Sequence, residues 1–76
     1  MATINTELSI GELIMRYAKS HGFSQTALRE EYNRRFGTKY IQPSFSRKLT
    51  RGIISWEELN HFGEILGFKV ELVSTD

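Results

Sequence analysis

The sequence predicts a mainly α-helical single domain over residues 1–76, a compact bundle of four to five short helices followed by a C-terminal β-strand. Three observations predict it. Two Ser-x-x-Glu capping boxes open segments whose apolar residues recur every three or four positions. Gly22, Gly37, Gly52 and Gly67 stand where such segments would end. Beyond the last of them the period changes to alternation, which is the pattern of a strand.

The first helix opens at Ser9-Ile10-Gly11-Glu12. Ser9 can accept from the amide three residues on while Glu12 reaches back to the Ser9 amide, and Leu8 and Leu13 stand as a hydrophobic staple. Ile10, Leu13, Ile14, Tyr17 and Ala18 form one stripe expected to be buried. Ser24 caps the second helix, in which Leu28, Tyr32 and Phe36 share a face and Arg29, Glu30, Asn33 and Arg34 take the rest. Thr38-Lys39-Tyr40-Ile41 lacks helical period. A third helix is expected from Pro43, because proline loses no amide bond in the first turn. Phe45 and Leu49 give it an inward side. Ser55-Trp56-Glu57-Glu58 repeats the capping box for a fourth helix, with Ile54 and Leu59 as staple and Leu59, Phe62 and Leu66 as buried stripe. The helical core is thus residues 9–67, and residues 68–73 are the strand. A lone strand is not stable in water. It must pair either with Ala2–Thr6 or with a second copy of itself.

Composition narrows the function. A chain of 76 residues needs nearly all its large apolar side chains for one core, which leaves no room for a roomy cleft. There is no cysteine, and His21 and His61 are far apart, so no metal site and no cofactor are expected. The sole aspartate is Asp76, Glu57 and Glu58 are adjacent and project to different sides, and the glycines are scattered, so no catalytic set or phosphate loop is expected. No apolar run approaches the ~20 residues that cross a bilayer. The expectation is a cytoplasmic, non-enzymatic protein with no membrane contact and no small-molecule ligand.

The net charge of +1 conceals a strong division. Residues 29–51 hold Arg29, Arg34, Arg35, Lys39, Arg47, Lys48 and Arg51 against Glu30 and Glu31. Residues 52–76 hold Lys69 against Glu57, Glu58, Glu64, Glu71 and Asp76. A basic block of this kind either attracts a polyanion or is an ordinary solvated helix surface.

Short helices joined by a turn, with basic residues gathered around the third, have the arrangement of a helix-turn-helix DNA reader. Three runs carry a closer likeness. They are Gly22-Phe23-Ser24-Gln25-Thr26-Ala27-Leu28, then Gln42-Pro43-Ser44-Phe45-Ser46-Arg47-Lys48-Leu49-Thr50-Arg51-Gly52, then Ser55-Trp56-Glu57-Glu58-Leu59 with Ile65-Leu66-Gly67. In this order they resemble the Xre/Cro (lambda-repressor-like) helix-turn-helix family over residues 9–67. Two departures stand out. Arg29 occupies a position where the family usually has an alanine packed against the recognition helix. The interval from Ser24 to Arg47 is about six residues longer than usual, enough to lengthen the second helix by about one turn and enlarge the following turn.

The resemblance implies a transcriptional regulator, of repressor type and bacterial or phage origin, that reads double-stranded DNA through the major groove. The base-contact candidates are Gln42, Ser44, Arg47 and Lys48: glutamine suits adenine, arginine or lysine suits guanine. The phosphate candidates are Ser24 and Gln25, at a helix start with unpaired amides, together with Arg34, Arg35, Lys39 and Arg51. Gln42 could instead cap the third helix, Ser46 could serve packing, Tyr40 could pack or stack, and Trp56 is expected in the core or at an interface. His21 and His61 are expected to be structural or exposed. Two copies on a pseudo-palindrome are expected, with Phe68, Val70 and Leu72 as the dimerisation residues. A protein-interaction adaptor that keeps the fold without binding DNA is the alternative.

Overall fold

Serine side chains fix where three of the helices start. In the computed structural model, which describes residues 9–71, Ser9 Oγ accepts from the Glu12 amide at 3.2 Å and Glu12 accepts from the Ser9 amide at 2.8 Å. Ser55 and Glu58 reproduce this exchange at 3.1 and 2.9 Å, and Ser24 Oγ accepts from the Ala27 amide at 3.1 Å. These contacts open α1 (Ile10–Ser20), α2 (Gln25–Phe36) and α4 (Trp56–Leu66). The remaining helix, α3 (Gln42–Arg51), has Ile41 at its N-cap with no side-chain bond. It therefore starts one residue before the expected Pro43, because the proline ring also fits the second position of the first turn. Gly37, Gly52 and Gly67 close α2, α3 and α4 in the left-handed conformation.

The core is Ile14, Ala18, Leu28, Tyr32, Phe45, Leu49, Phe62 and Leu66, all essentially without solvent contact. Tyr32 lies at its centre, its ring 5.0 Å from those of Phe36 and Phe62 and 5.7 Å from that of Tyr40. Its buried hydroxyl meets His61 Nδ1 at 2.9 Å, and His61 stacks on Phe36 at 3.8 Å. His61 is therefore structural, while His21 is exposed at the end of α1. Helix α3 rests on α1 and α2. Its approach to α1 is close enough to require Gly11: a Cβ there would lie 1.8 Å from the Leu49 carbonyl oxygen.

Two expectations need correction. The α1 stripe is only partly buried: Ile14 and Ala18 enter the core, but Ile10, Leu13 and Tyr17 remain 38%, 41% and 45% exposed. The stripe is wider than the surface that α2, α3 and α4 offer to cover it. The expected C-terminal strand is also not seen among the described residues. Phe68–Glu71 lacks a ladder partner there, and Leu72 and Val73 lie outside the described residues, as do Leu8 and Ala2–Thr6. The architecture of the described residues is four helices, mainly α. None of these helices is long and apolar enough to cross a membrane.

Candidate nucleic-acid interface

Burial of Phe45 and Leu49 sets the rotation of α3. Its exposed side is then Pro43, Ser44, Arg47, Thr50 and Arg51, a stripe at helical spacing along the whole helix. Ser44 and Arg47, two of the expected base-contact residues, belong to this stripe. Among the described residues, Arg47, Arg51 and the neighbouring Lys39 form no ion pair. Ser46 is half-buried beside the stripe, in keeping with a packing role.

Lys48 is placed differently. Its ammonium lies 2.9 Å from Glu58 Oε2 and 3.1 Å from Oε1, donates to the Ile53 carbonyl at 3.2 Å, and stands 5.3 Å from the centre of the Tyr40 ring. It stands beside Ser44 and Arg47 at the edge of the exposed stripe, but its ammonium is engaged internally and ties α3 to the start of α4. Glu58 also accepts from the Tyr40 hydroxyl and the Ser55 amide. Burial alone would raise its pKa, but these donors prevail and hold the carboxyl down to about 2. Burial, and then the bond to Glu58, pushes the Tyr40 hydroxyl up to about 12, so it remains a donor through neutral pH. Tyr40 is thus packed.

Gln42 is the first residue of α3, not its cap. Its amide is half-buried: Oε1 accepts from Arg29 Nε at 2.7 Å, and Nε2 donates to Gln25 Oε1 at 3.0 Å. Gln42 and Gln25, expected on bases and phosphate respectively, are therefore joined across the starts of α3 and α2. Ser24 sits exposed at the cap of α2 next to them. Arg34 and Arg35 share Glu31, with Arg34 Nε at 3.1 Å and Arg35 at 3.1 Å, and Arg35 also donates to the Glu64 carbonyl at 3.2 Å. The Arg34 guanidinium holds the Glu31 carboxyl below its usual range. Phe68 and Val70 are half-buried near α1.

Two residues matter here that the sequence reading left on the general helix surface. Arg29 bridges α2 to Gln42 and also donates to the Tyr40 carbonyl at 3.1 Å. Asn33 receives the Tyr40 amide at 3.0 Å and the Thr38 hydroxyl at 2.7 Å, and donates to the Tyr40 carbonyl at 2.9 Å. The signal for Arg29 was its departure from the alanine usual at that position. Asn33 offered none. Trp56, Ile53 and Ile41 are exposed large apolar residues, so Trp56 is not core.

No protein-family model, curated protein or solved structure matches the chain.

Proposed function

We propose that the chain is a sequence-specific reader of double-stranded DNA, a helix-turn-helix transcriptional regulator of repressor type that lays α3 in the major groove. The observation that carries this reading is the stripe Ser44, Arg47, Thr50 and Arg51, which combines outward orientation with guanidinium groups that have no internal partner among the described residues. Ser44 and Arg47 act on base edges, and Lys39 and Arg51 neutralise phosphates on either side. Gln25 and Gln42 meet the duplex as a joined pair, with Gln25 nearest the phosphate at the start of α2. Arg34 and Arg35 contribute to phosphate attraction only so far as Glu31 leaves them charge to share. Lys48 acts by positioning α3. The protein works in the cytoplasm, as a homodimer on a pseudo-palindrome joined through Phe68, Val70 and Leu72, without cofactor or catalysis.

The adaptor reading has one observation in its favour. Ile41, Ile53 and Trp56 are 62%, 59% and 53% exposed, and a protein partner could cover them. Selection from a random duplex library separates the readings. On the DNA reading, selected duplexes share a half-site, and Arg47→Ala weakens binding to them by about 1–3 kcal/mol with little change on random duplex. If no duplex is retained even at low salt, the adaptor reading replaces it.

A further inference from the structure

A hydrogen-bond chain through three half-buried residues joins the starts of α2 and α3. Arg29 Nε donates to Gln42 Oε1 at 2.7 Å, and Gln42 Nε2 donates to Gln25 Oε1 at 3.0 Å. Arg29 is anchored by a second bond, from its guanidinium to the Tyr40 carbonyl at 3.1 Å. Among the described residues, Gln25 Nε2 has no partner, and Gln42 keeps one Nε2 hydrogen and one Oε1 lone pair unused. A primary amide has nearly the same shape with its oxygen and nitrogen exchanged, so packing does not fix its direction. A guanidinium, however, carries only donors. The Gln42 atom facing Arg29 must therefore be the oxygen, which sends Nε2 toward Gln25. Gln25 must meet that nitrogen with its own oxygen, which leaves its Nε2 as the outer end of the chain. With an apolar residue at 29 the chain has two directions open, and in the second Gln25 donates to Gln42 and turns out an oxygen.

We propose that Arg29 is a positioning residue for DNA recognition: as a fixed donor it sets the direction of the Gln42–Gln25 chain, and so the edge that both amides turn to a duplex. The inference rests on the DNA reading of the preceding section. A phosphate oxygen only accepts, so Gln25 suits the backbone when it turns out nitrogen and opposes it when it turns out oxygen. Adenine offers the N7 acceptor and the N6 donor in one fixed order, so the Gln42 edge matches it in one direction only. Reversal loses both contacts at once. Arg29 itself touches no base in this arrangement and acts through Gln42.

Three substitutions separate direction from packing. Arg29→Lys keeps a donor-only side chain, Arg29→Met removes the bond at similar length, and Arg29→Glu replaces donors by acceptors. In all three, Asn33 Nδ2 still holds the Tyr40 carbonyl, which it meets at 2.9 Å. The first readout is the scalar coupling across the hydrogen bond in the free, full-length protein, measured by nuclear magnetic resonance. Wild type and Arg29→Lys are expected to couple Gln42 Nε2 to Gln25 Cδ only. Arg29→Glu should show the reverse coupling, from Gln25 Nε2 to Gln42 Cδ, and Arg29→Met both, each at about half strength. The second readout uses a duplex selected from the random library, at the base pair whose discrimination Gln42→Ala abolishes. Wild type and Arg29→Lys should prefer the selected pair by about 5- to 140-fold, the range of one bidentate contact. Arg29→Met should lower this ratio by no more than about twofold, and Arg29→Glu should bring it toward one. Loss of charge weakens every duplex alike, so the ratio isolates direction. A wild-type coupling that persists in Arg29→Met overturns the proposal, as does undiminished discrimination by Arg29→Glu, which leaves the DNA reading standing. Should Arg29→Glu lose its helical circular dichroism, the Arg29→Met couplings decide. A wild type that retains no duplex overturns the DNA reading and the recognition role with it, while the couplings still report whether residue 29 directs the chain.

Discussion

Gly11→Ala tests the packing on which the position of α3 depends. A Cβ at residue 11 would lie 1.8 Å from the Leu49 carbonyl oxygen and 2.7 Å from its carbonyl carbon. To restore ordinary contact, the two helices must separate by roughly 1.5 Å, and the obstacle is backbone rather than a movable side chain. Two effects oppose each other. Alanine is a better helix former than glycine by roughly 0.5–1 kcal/mol. Overpacking costs roughly 1–3 kcal/mol, toward the upper end when a whole helix has to move. The net expectation is about 1–2 kcal/mol of destabilisation. For a domain of this size each kcal/mol lowers Tm by roughly 4–8 °C, so the fall should be roughly 4–16 °C. Thermal unfolding followed by circular dichroism at 222 nm measures it. An unchanged or raised Tm would refute the reasoning, because helix propensity would then have outweighed a clash that is absent.

Acid should remove a contribution that Glu58 makes at neutral pH. Its folded pKa, about 2, lies below the ordinary value of 4.5, so the stabilisation is present above that ordinary value and is lost as pH falls through about 2. Glu58→Gln, which leaves the half-buried Lys48 without its counter-charge, should cost on the order of 1–3 kcal/mol at pH 7. The gap between the two Tm curves should close toward pH 2, and parallel curves would contradict this assignment. Among the cations, Lys39→Ala and Arg51→Ala should each reduce the slope of log affinity against log salt by about 1. Arg34→Ala, whose charge Glu31 already shares, should reduce it by less, and an equal reduction would place Arg34 on the duplex as fully as the others.

The helices were largely legible because their signals are local. Ser9, Ser24 and Ser55 each cap the helix they were expected to cap, and both glutamates complete their boxes. The rotation of α3 followed from Phe45 and Leu49 alone. What was not legible depends on contacts distant in sequence. Nothing near Lys48 indicates that its ammonium finds Glu58 on the next helix rather than the exposed stripe. Arg34 and Arg35 read as two cations, and only their positions around one carboxylate show them as a shared pair. The α1 stripe was read too wide because periodicity reports which residues share a side, not how much of that side a neighbour covers.

The five residues between α2 and α3 look at first like a loose joint between the two helices. The contacts argue otherwise. Asn33 holds both backbone groups of Tyr40, and Arg29 takes the same Tyr40 carbonyl while gripping Gln42. The Tyr40 ring and hydroxyl are in turn held by the core and Glu58. The residue two places before α3 is therefore restrained from α2 and α4 together, and the direction in which α3 starts does not depend on how many residues precede it in the turn. A small residue at position 29 would allow direct helix packing. Arginine there supplies instead a polar strut from α2 to Tyr40 and Gln42, which joins α2 to the start of α3.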